Sequence, residues 1–196
     1  MVRFLYLHYF LVNQKVEAVN ADALPRFFHH RWTAPILAEL RRTNGAKFIT
    51  LVNRLGIPRD TLVQTLGALI RSGWVRRNPG HGHPMRPEYL PTAKGRRLGW
   101  ACERLLFEIR RKDLEGVALK KWSMPVLHAL AGGPRRFSEL KRSLGPVTTR
   151  ALTLAIRDLV KAGLVRRTVS SAAPPEVRYG AGGDSRALRR WLGKLA

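Results

Sequence analysis

Between Ile57 and Arg77 the chain reads IPRDTLVQTLGALIRSGWVRR, with Leu62, Leu66, Leu69 and Ile70 returning at helical spacing. Because 3.6 residues per turn bring these four to one side, the stretch predicts an amphipathic helix with that stripe buried. The opposite face then carries Asp60, Thr61, Gln64, Ala68 and Arg71. Gly73 suits the end of the helix, where a left-handed backbone is cheapest for glycine, and Trp74-Val75 switches to a strand pattern that ends in Arg76 and Arg77. A helix that runs through glycine into a basic strand has the order of a recognition helix entering a wing.

The same pattern returns as VTTRALTLAIRDLVKAGLVRR from Val147 to Arg167. Trp32, Pro35, Leu37 and Leu40 reappear 90 positions later as Trp122, Pro125, Leu127 and Leu130. Phe48, Leu51, Leu55 and Gly56 reappear 89 later as Phe137, Leu140, Leu144 and Gly145, and a one-residue insertion around Pro146 restores the register. Leu62, Leu69, Gly73, Val75 and Tyr89 then match Leu152, Leu159, Gly163, Val165 and Tyr179. A shared spacing of core and punctuation residues over this length is the mark of a duplicated fold. Each unit is expected to contain a helix starting near Trp32 or Trp122, then a short helix from about Ile49 or Ser138, with Ser138 as an N-cap. The recognition helix follows, opened by Pro58 in its first turn in one copy and capped by Thr148 in the other. WVRRN and RPEYL flank the first hairpin tip, and LVRRT and EVRY flank the second. Closing helices are expected from Thr92 to Lys112 and from Asp184 to Leu195, with a short link between units. The expected division is an N-terminal helical extension over 1–24 and two units over 25–112 and 113–196. The fold class is mainly α with small β-hairpin wings, as two tandem winged helix-turn-helix domains.

Charge narrows the partner class to anions. There are 36 Lys and Arg against 13 Asp and Glu, a net charge of +23. Both parts share the excess, with 20 basic against 7 acidic residues up to Lys112 and 16 against 6 beyond it. Since 45% of residues are hydrophobic and the arginines sit among periodic apolar positions, this is a folded basic protein rather than a charged tail. Nucleic acid is the leading partner, ahead of an anionic membrane surface. The apolar run FLYLHYFLV near the N-terminus is too short to span a bilayer and reads better as a core or dimer-forming helix. The single cysteine, Cys102, excludes an internal disulfide and a cysteine-based zinc site, and a cytoplasmic location fits. It falls on the helical stripe Leu98, Cys102, Leu105, Leu106 and Ile109, which predicts burial.

KKWSMPVLHALAGGPRRFSELKRSLGPVTTRALTLAIRDLVKAGLVRR followed by PPEVRY resembles the HxlR family of bacterial winged helix-turn-helix transcriptional regulators. The resemblance rests on Lys-Trp, Arg-Phe-x-Glu-Leu, the leucine-anchored helix, Gly-Leu-Val-x-Arg and Pro-Pro-x-Val-x-Tyr. The first copy keeps Trp32, Phe48, Leu62, Gly73, Tyr89, Thr92 and Gly95, and departs at Pro91 and at Lys47-Phe48-Ile49. Together the copies cover roughly residues 27 to 196. The resemblance implies a regulator that binds double-stranded DNA, and two units in one chain imply a covalent pseudo-dimer of a family whose members are usually homodimers. It leaves open whether two chains pair further. Some relatives sense oxidants through a cysteine just before the first tryptophan, and this sequence has none there.

Turning the leucine stripe inward places Arg59, Asp60, Thr61, Gln64 and Arg71 of the first copy, and Thr148, Thr149, Arg150, Thr153 and Arg157 of the second, at a DNA groove, against the plainer reading of a solvated face. Arg76, Arg77, Arg166 and Arg167 are better suited to clamp phosphates than to read bases. Successive strand residues point to opposite faces, so one of each pair is expected to reach DNA. His81, His83 and Arg86 in the first wing could lie on the backbone or in a minor groove. The pairs His81 with His83 and His29 with His30 lack acidic or cysteine ligands nearby, so no metal or cofactor is expected. No phosphate-cradling glycine loop or nucleophile motif appears, which argues against an enzyme. The competing functional classes are an architectural DNA-binding or RNA-binding protein without base readout, and a protein-interaction module.

Overall fold

The computed structural model describes residues 24–80, 83 and 86–195. The helix expected over the N-terminal extension therefore lies outside the described residues, except for Leu24, and so does His81.

The first unit begins with the short helix α1 (Leu24–Phe27), then α2 (Thr33–Arg42), α3 (Phe48–Leu55) and α4 (Arg59–Arg71). Strands β1 (Val75–Arg77) and β2 (Tyr89–Pro91) form an antiparallel hairpin, and α5 (Ala93–Arg111) closes the unit. The second unit repeats the order with α6 (Glu115–Ala118), α7 (Ser123–Ala129), α8 (Phe137–Ser143), α9 (Thr149–Lys161), β3 (Val165–Val169), β4 (Val177–Ala181), a 3-10 turn over Gly183–Ser185 and α10 (Arg186–Leu192). These are two tandem winged helix-turn-helix units.

Each hairpin gains a third member from the loop before the short helix. Ala46 N donates to Tyr89 O at 3.0 Å and accepts the reverse bond at its own carbonyl, also at 3.0 Å; Arg135 and Tyr179 exchange the same pair at 2.8 Å. The two tyrosines that repeat in the sequence are thus the positions where the wing is fastened to its domain.

In α4 the buried residues are Leu62, Thr65, Leu66 and Leu69, and in α9 Leu152, Ala155, Ile156 and Leu159. Ile70, expected in the stripe, is 37% exposed, and Thr65 takes the buried place. Its hydroxyl is satisfied inside the helix by donating to Thr61 O at 2.7 Å, so a polar residue can occupy an apolar position. Pro58 stands one residue before the first turn, at the N-cap, and Ser138 stands inside α8, whose N-cap is Arg136. There Glu139 accepts from the Arg136 N–H at 2.8 Å and does the capping that Ser138 was expected to do. Thr148 does cap α9, accepting from Ala151 N at 3.2 Å.

The long helix α5 packs on α2 within its unit and on α10 of the other. Trp100 meets Trp191 edge to face at 5.1 Å, and Lys112 donates to Asp184 at 2.9 Å, so both contacts join the units. Cys102 is fully buried on the α5 stripe, where burial pushes its thiol far above its ordinary range. Among the described residues no helix is long and apolar enough to cross a membrane.

Candidate nucleic-acid interface

The pose of each recognition helix is set at both ends. Gly56 and Gly145, with φ of 61° and 68°, make the turn that follows the short helix, and buried Ile57 and Val147 anchor the chain before α4 and α9 begin. At the far end Gly73 N donates to Ile70 O at 2.9 Å and Trp74 N to Leu69 O at 3.0 Å; Gly163 and Leu164 repeat these bonds to Val160 and Leu159. These paired bonds form a Schellman stop, which Gly73 and Gly163 permit at φ of 69° and 68°. The strand therefore leaves the helix at a fixed angle, and the wing's orientation follows from the helix's.

On α4, Arg59, Asp60, Val63 and Gln64 are exposed and Thr61 is half-buried; on α9, Thr149, Arg150, Thr153, Leu154 and Arg157 are exposed. Lys141 of α8 donates to the Thr149 hydroxyl at 2.9 Å, so that lysine joins the N-terminal end of α9. Thr153 donates to Thr149 O at 2.9 Å, which leaves its hydroxyl lone pairs available as acceptors. Val63 and Lys141 were not singled out from the sequence: valine there reads as core, although its place one residue after Leu62 turns it off the buried stripe. The 90-residue register pairs Val63-Gln64 with Thr153-Leu154. The apolar and polar members have changed places.

Arg76, Arg77, Arg166 and Arg167 are all exposed on the hairpins. The Arg77 guanidinium lies 5.7 Å above the Tyr89 ring, a cation–π contact that limits its wandering. In the first wing Asn78 braces the turn by donating to Pro87 O at 3.1 Å and accepting from Gly80 N at 3.3 Å. His83 and Arg86 are exposed at the rim of that wing.

Among the described residues, Arg59, Arg76, Arg77, Arg86, Arg150, Arg166 and Arg167 pair with no carboxylate. Of the candidate arginines on the recognition helices, Arg157 alone has a carboxylate within ion-pair distance among the described residues, Asp158 at 3.8 Å, and Asp60 stands exposed beside Arg59; other acidic groups are spent elsewhere. Glu39 holds Arg42 and Arg54, and Glu103 holds Arg41; on the second wing Glu176 holds Arg136 and Arg178. Arg71 belongs to a different place, since it lies at the C-terminal end of α4 and lines a cleft against His30 and Trp122.

The Arg136 guanidinium grips Glu176 through two nitrogens and, with Arg178 beside it, holds that carboxyl at about 2. A depressed carboxylate keeps its pairing at ordinary pH and loses it only as pH falls through its folded midpoint. A carbon-detected NMR titration of Glu176 should therefore show a midpoint near 2. A midpoint in the ordinary glutamate range would mean that the ion pair does not tie the second wing to the start of α8.

The family model described as HxlR-like helix-turn-helix matches residues 27–107 and again 117–196. The uncharacterized HTH-type transcriptional regulator YkvN of Bacillus subtilis is 38% identical over 73 residues, covering 37% of this chain and 58% of that protein. An uncharacterized HTH-type transcriptional regulator of Methanothermobacter thermautotrophicus is 42% identical over 59 residues, 30% of this chain and 45% of that protein. The chain thus spans about half the length of these curated relatives. Among solved structures, a MarR-family transcriptional regulator from Enterococcus faecalis V583 aligns at 30% identity and TM-score 0.38 over 46% of this chain and 77% of that one. The redox regulator HypR in its oxidized form aligns at 29% identity and TM-score 0.41, over 44% and 89% respectively.

Proposed function

This chain belongs to the HxlR-like helix-turn-helix family, once in each of its units, and from that premise we propose that it is a sequence-specific regulator of transcription that binds double-stranded DNA. The observation that carries this reading is the placement of exposed arginines that pair with no carboxylate among the described residues, Arg59, Arg76, Arg77 and Arg86 in one unit and Arg150, Arg166 and Arg167 in the other, on the recognition helices and wings of one chain. The N-terminal ends of α4 and α9 enter successive major grooves, with Arg59, Asp60, Thr61 and Gln64 in one and Thr149, Arg150, Thr153 and Arg157 in the other. Thr148 caps its helix at the same end. The pairs Arg76-Arg77 and Arg166-Arg167 supply the phosphate clamps, one arginine of each pair on the DNA-facing side of its strand, and the first wing adds His83 and Arg86, with His81 beside them in sequence. Arg71 is left out, being at the other end of its helix.

We place the unit boundary after Lys112, and the extension expected over 1–24 ends one residue earlier, since Leu24 already opens α1 of the first unit. The units form a pseudo-dimer joined by α5 and α10, so one chain presents what relatives with a single unit would need two chains to present. The protein acts in the cytoplasm at the nucleoid and carries out no catalysis. Selection of genomic fragments by the full chain, followed by sequencing, tests this reading. Recovery of one motif at physiological salt is expected, whereas equal retention of all sequences, or of RNA, would favour the architectural alternative.

The exchange of Val63-Gln64 for Thr153-Leu154 makes the two half-sites unequal. Gln64 can pair bidentately with adenine, a contact worth about 1 to 3 kcal/mol of discrimination, while Leu154 can only meet a thymine methyl or another apolar surface. Gln64→Ala should therefore flatten selectivity at one position of one half-site, and Leu154→Ala should cost less. A selected operator that is a perfect palindrome, with equal losses from both substitutions, would contradict this.

A further inference from the structure

Between the units, α1 and the C-terminal end of α4 face the start of α7 across a cleft of about 450 Å3, lined by Arg26, His29, His30, Arg71, Lys121 and Trp122. Its lining includes no acidic side chain, and among the described residues Arg26, Arg71 and Lys121 pair with no carboxylate. The duplication supplies an internal comparison. Ninety residues on, His30 corresponds to Lys120, Arg71 to Lys161 and Ala68 to Asp158. There Lys120 donates to Asp158 at 2.7 Å, joining the segment before the tryptophan to the recognition helix, and holds that carboxyl below its usual range. The second unit thus carries its own counter-ion at this place. The first has alanine.

We propose that this cleft binds a small organic anion, a carboxylate or phosphate on a flat apolar body, with its charge standing where Asp158 stands in the second unit. Arg71 and Lys121 bring donors from opposite units, so the anion bridges them. Trp122, with the Lys121 ammonium 5.2 Å from its ring, and the prolines Pro25 and Pro146 form the apolar wall. The volume lies within the roughly 300–1,000 Å3 typical of small-molecule sites. His30 is held below its usual range first by burial and then by His29, Arg71 and Lys121, the mark of a local positive field without an answering charge. A DNA phosphate is the less suitable occupant. Arg71 stands at the opposite end of the 13-residue α4 from the turn that enters the groove, and 1.5 Å per residue separates those ends by about 18 Å.

The test is NMR of the full chain with benzoate and phenyl phosphate as probes. Saturable shifts of the Trp122 indole and an upward move of the His30 titration midpoint are expected, since a nearby anion favours the imidazolium. Inorganic phosphate should bind about tenfold more weakly, having no apolar body to bury. Ala68→Asp reproduces the second unit's counter-ion, so it should raise the His30 midpoint without any ligand and weaken benzoate binding by about tenfold or more. Lys121→Gln, at an exposed position, should weaken it without disturbing the fold and serves if the aspartate variant does not fold. Absence of a saturable response to either aromatic probe would overturn the proposal. So would responses unchanged in both variants. Neither result would touch the DNA-binding reading, which rests on the other end of α4 and on the wings.

Discussion

Raising salt from 50 to 200 mM should weaken duplex binding by about 10³ to 10⁵-fold, because each phosphate neutralised contributes about −0.9 to the slope of log affinity against log salt and six to ten such contacts suit two winged units. The effect is expected to be this large because the arginines concerned have no internal carboxylate to return to. Arg76, Arg77, Arg166 and Arg167 stand exposed on the hairpins and lack ion pairs among the described residues. Replacing Arg76 and Arg166 by Gln should lower the magnitude of the slope by about 2 and weaken all sequences alike, since phosphate contacts carry no base information. Fluorescence anisotropy on a duplex across that salt range gives the number directly. A slope near zero would remove the phosphate-clamp reading, and a double variant that changed sequence preference instead would make these arginines base readers.

The repeat of core and punctuation residues made the duplicated fold legible, because leucine stripes and C-terminal glycines are local demands of helices. The placement of Trp32 and Trp122 at helix starts, the Schellman glycines and the Thr148 cap followed from the same local rules. What failed to be legible depended on neighbours distant in sequence or on choices between equivalent local solutions. Thr65 is buried because its own helix satisfies its hydroxyl, which hydrophobic spacing does not register. Glu139 caps α8 from inside the helix, so the obvious serine was the wrong candidate. Arg71 lay on the outward face by periodicity, yet only the second unit's Lys121 and Trp122 reveal that this end of the helix borders a cleft. Arg59, Arg76 and Arg150 are available cations because Glu39, Glu103 and Glu176 are taken by other arginines. Those pairs join residues as far apart as Arg41 and Glu103, which no local pattern announces.

Gly95→Ala should be the most destabilising conservative change in the first unit, because a Cβ there would stand 1.8 Å from the Trp74 carbonyl oxygen. That oxygen cannot retreat cheaply. It accepts from Thr92 N at 3.0 Å, and the Thr92 hydroxyl, which caps α5 by accepting from Gly95 N at 3.1 Å, donates to Gly73 O at 2.8 Å. The clash therefore strikes the point where the recognition helix's stop, the first strand and the cap of the long helix meet. Forcing extra atoms into a packed site usually costs about 1 to 3 kcal/mol, and a backbone obstacle this close should bring the loss to about 3 kcal/mol or more. For a chain of this length that corresponds to a fall of about 6 to 12 °C in melting temperature. The second unit places its glycine differently at the same junction. Gly182, the counterpart of Thr92, would bring a Cβ to 2.1 Å from Gly163 O, so Gly182→Ala should cost a similar amount. Gly116, in α6, meets nothing within 4 Å and provides the control. Gly116→Ala should be neutral or stabilising by up to about 1 kcal/mol, since alanine is the better helix former. Urea unfolding of the three variants followed by circular dichroism checks this, and a Gly95→Ala midpoint equal to that of Gly116→Ala would show that the junction between α4, β1 and α5 yields where its hydrogen bonds say it should not.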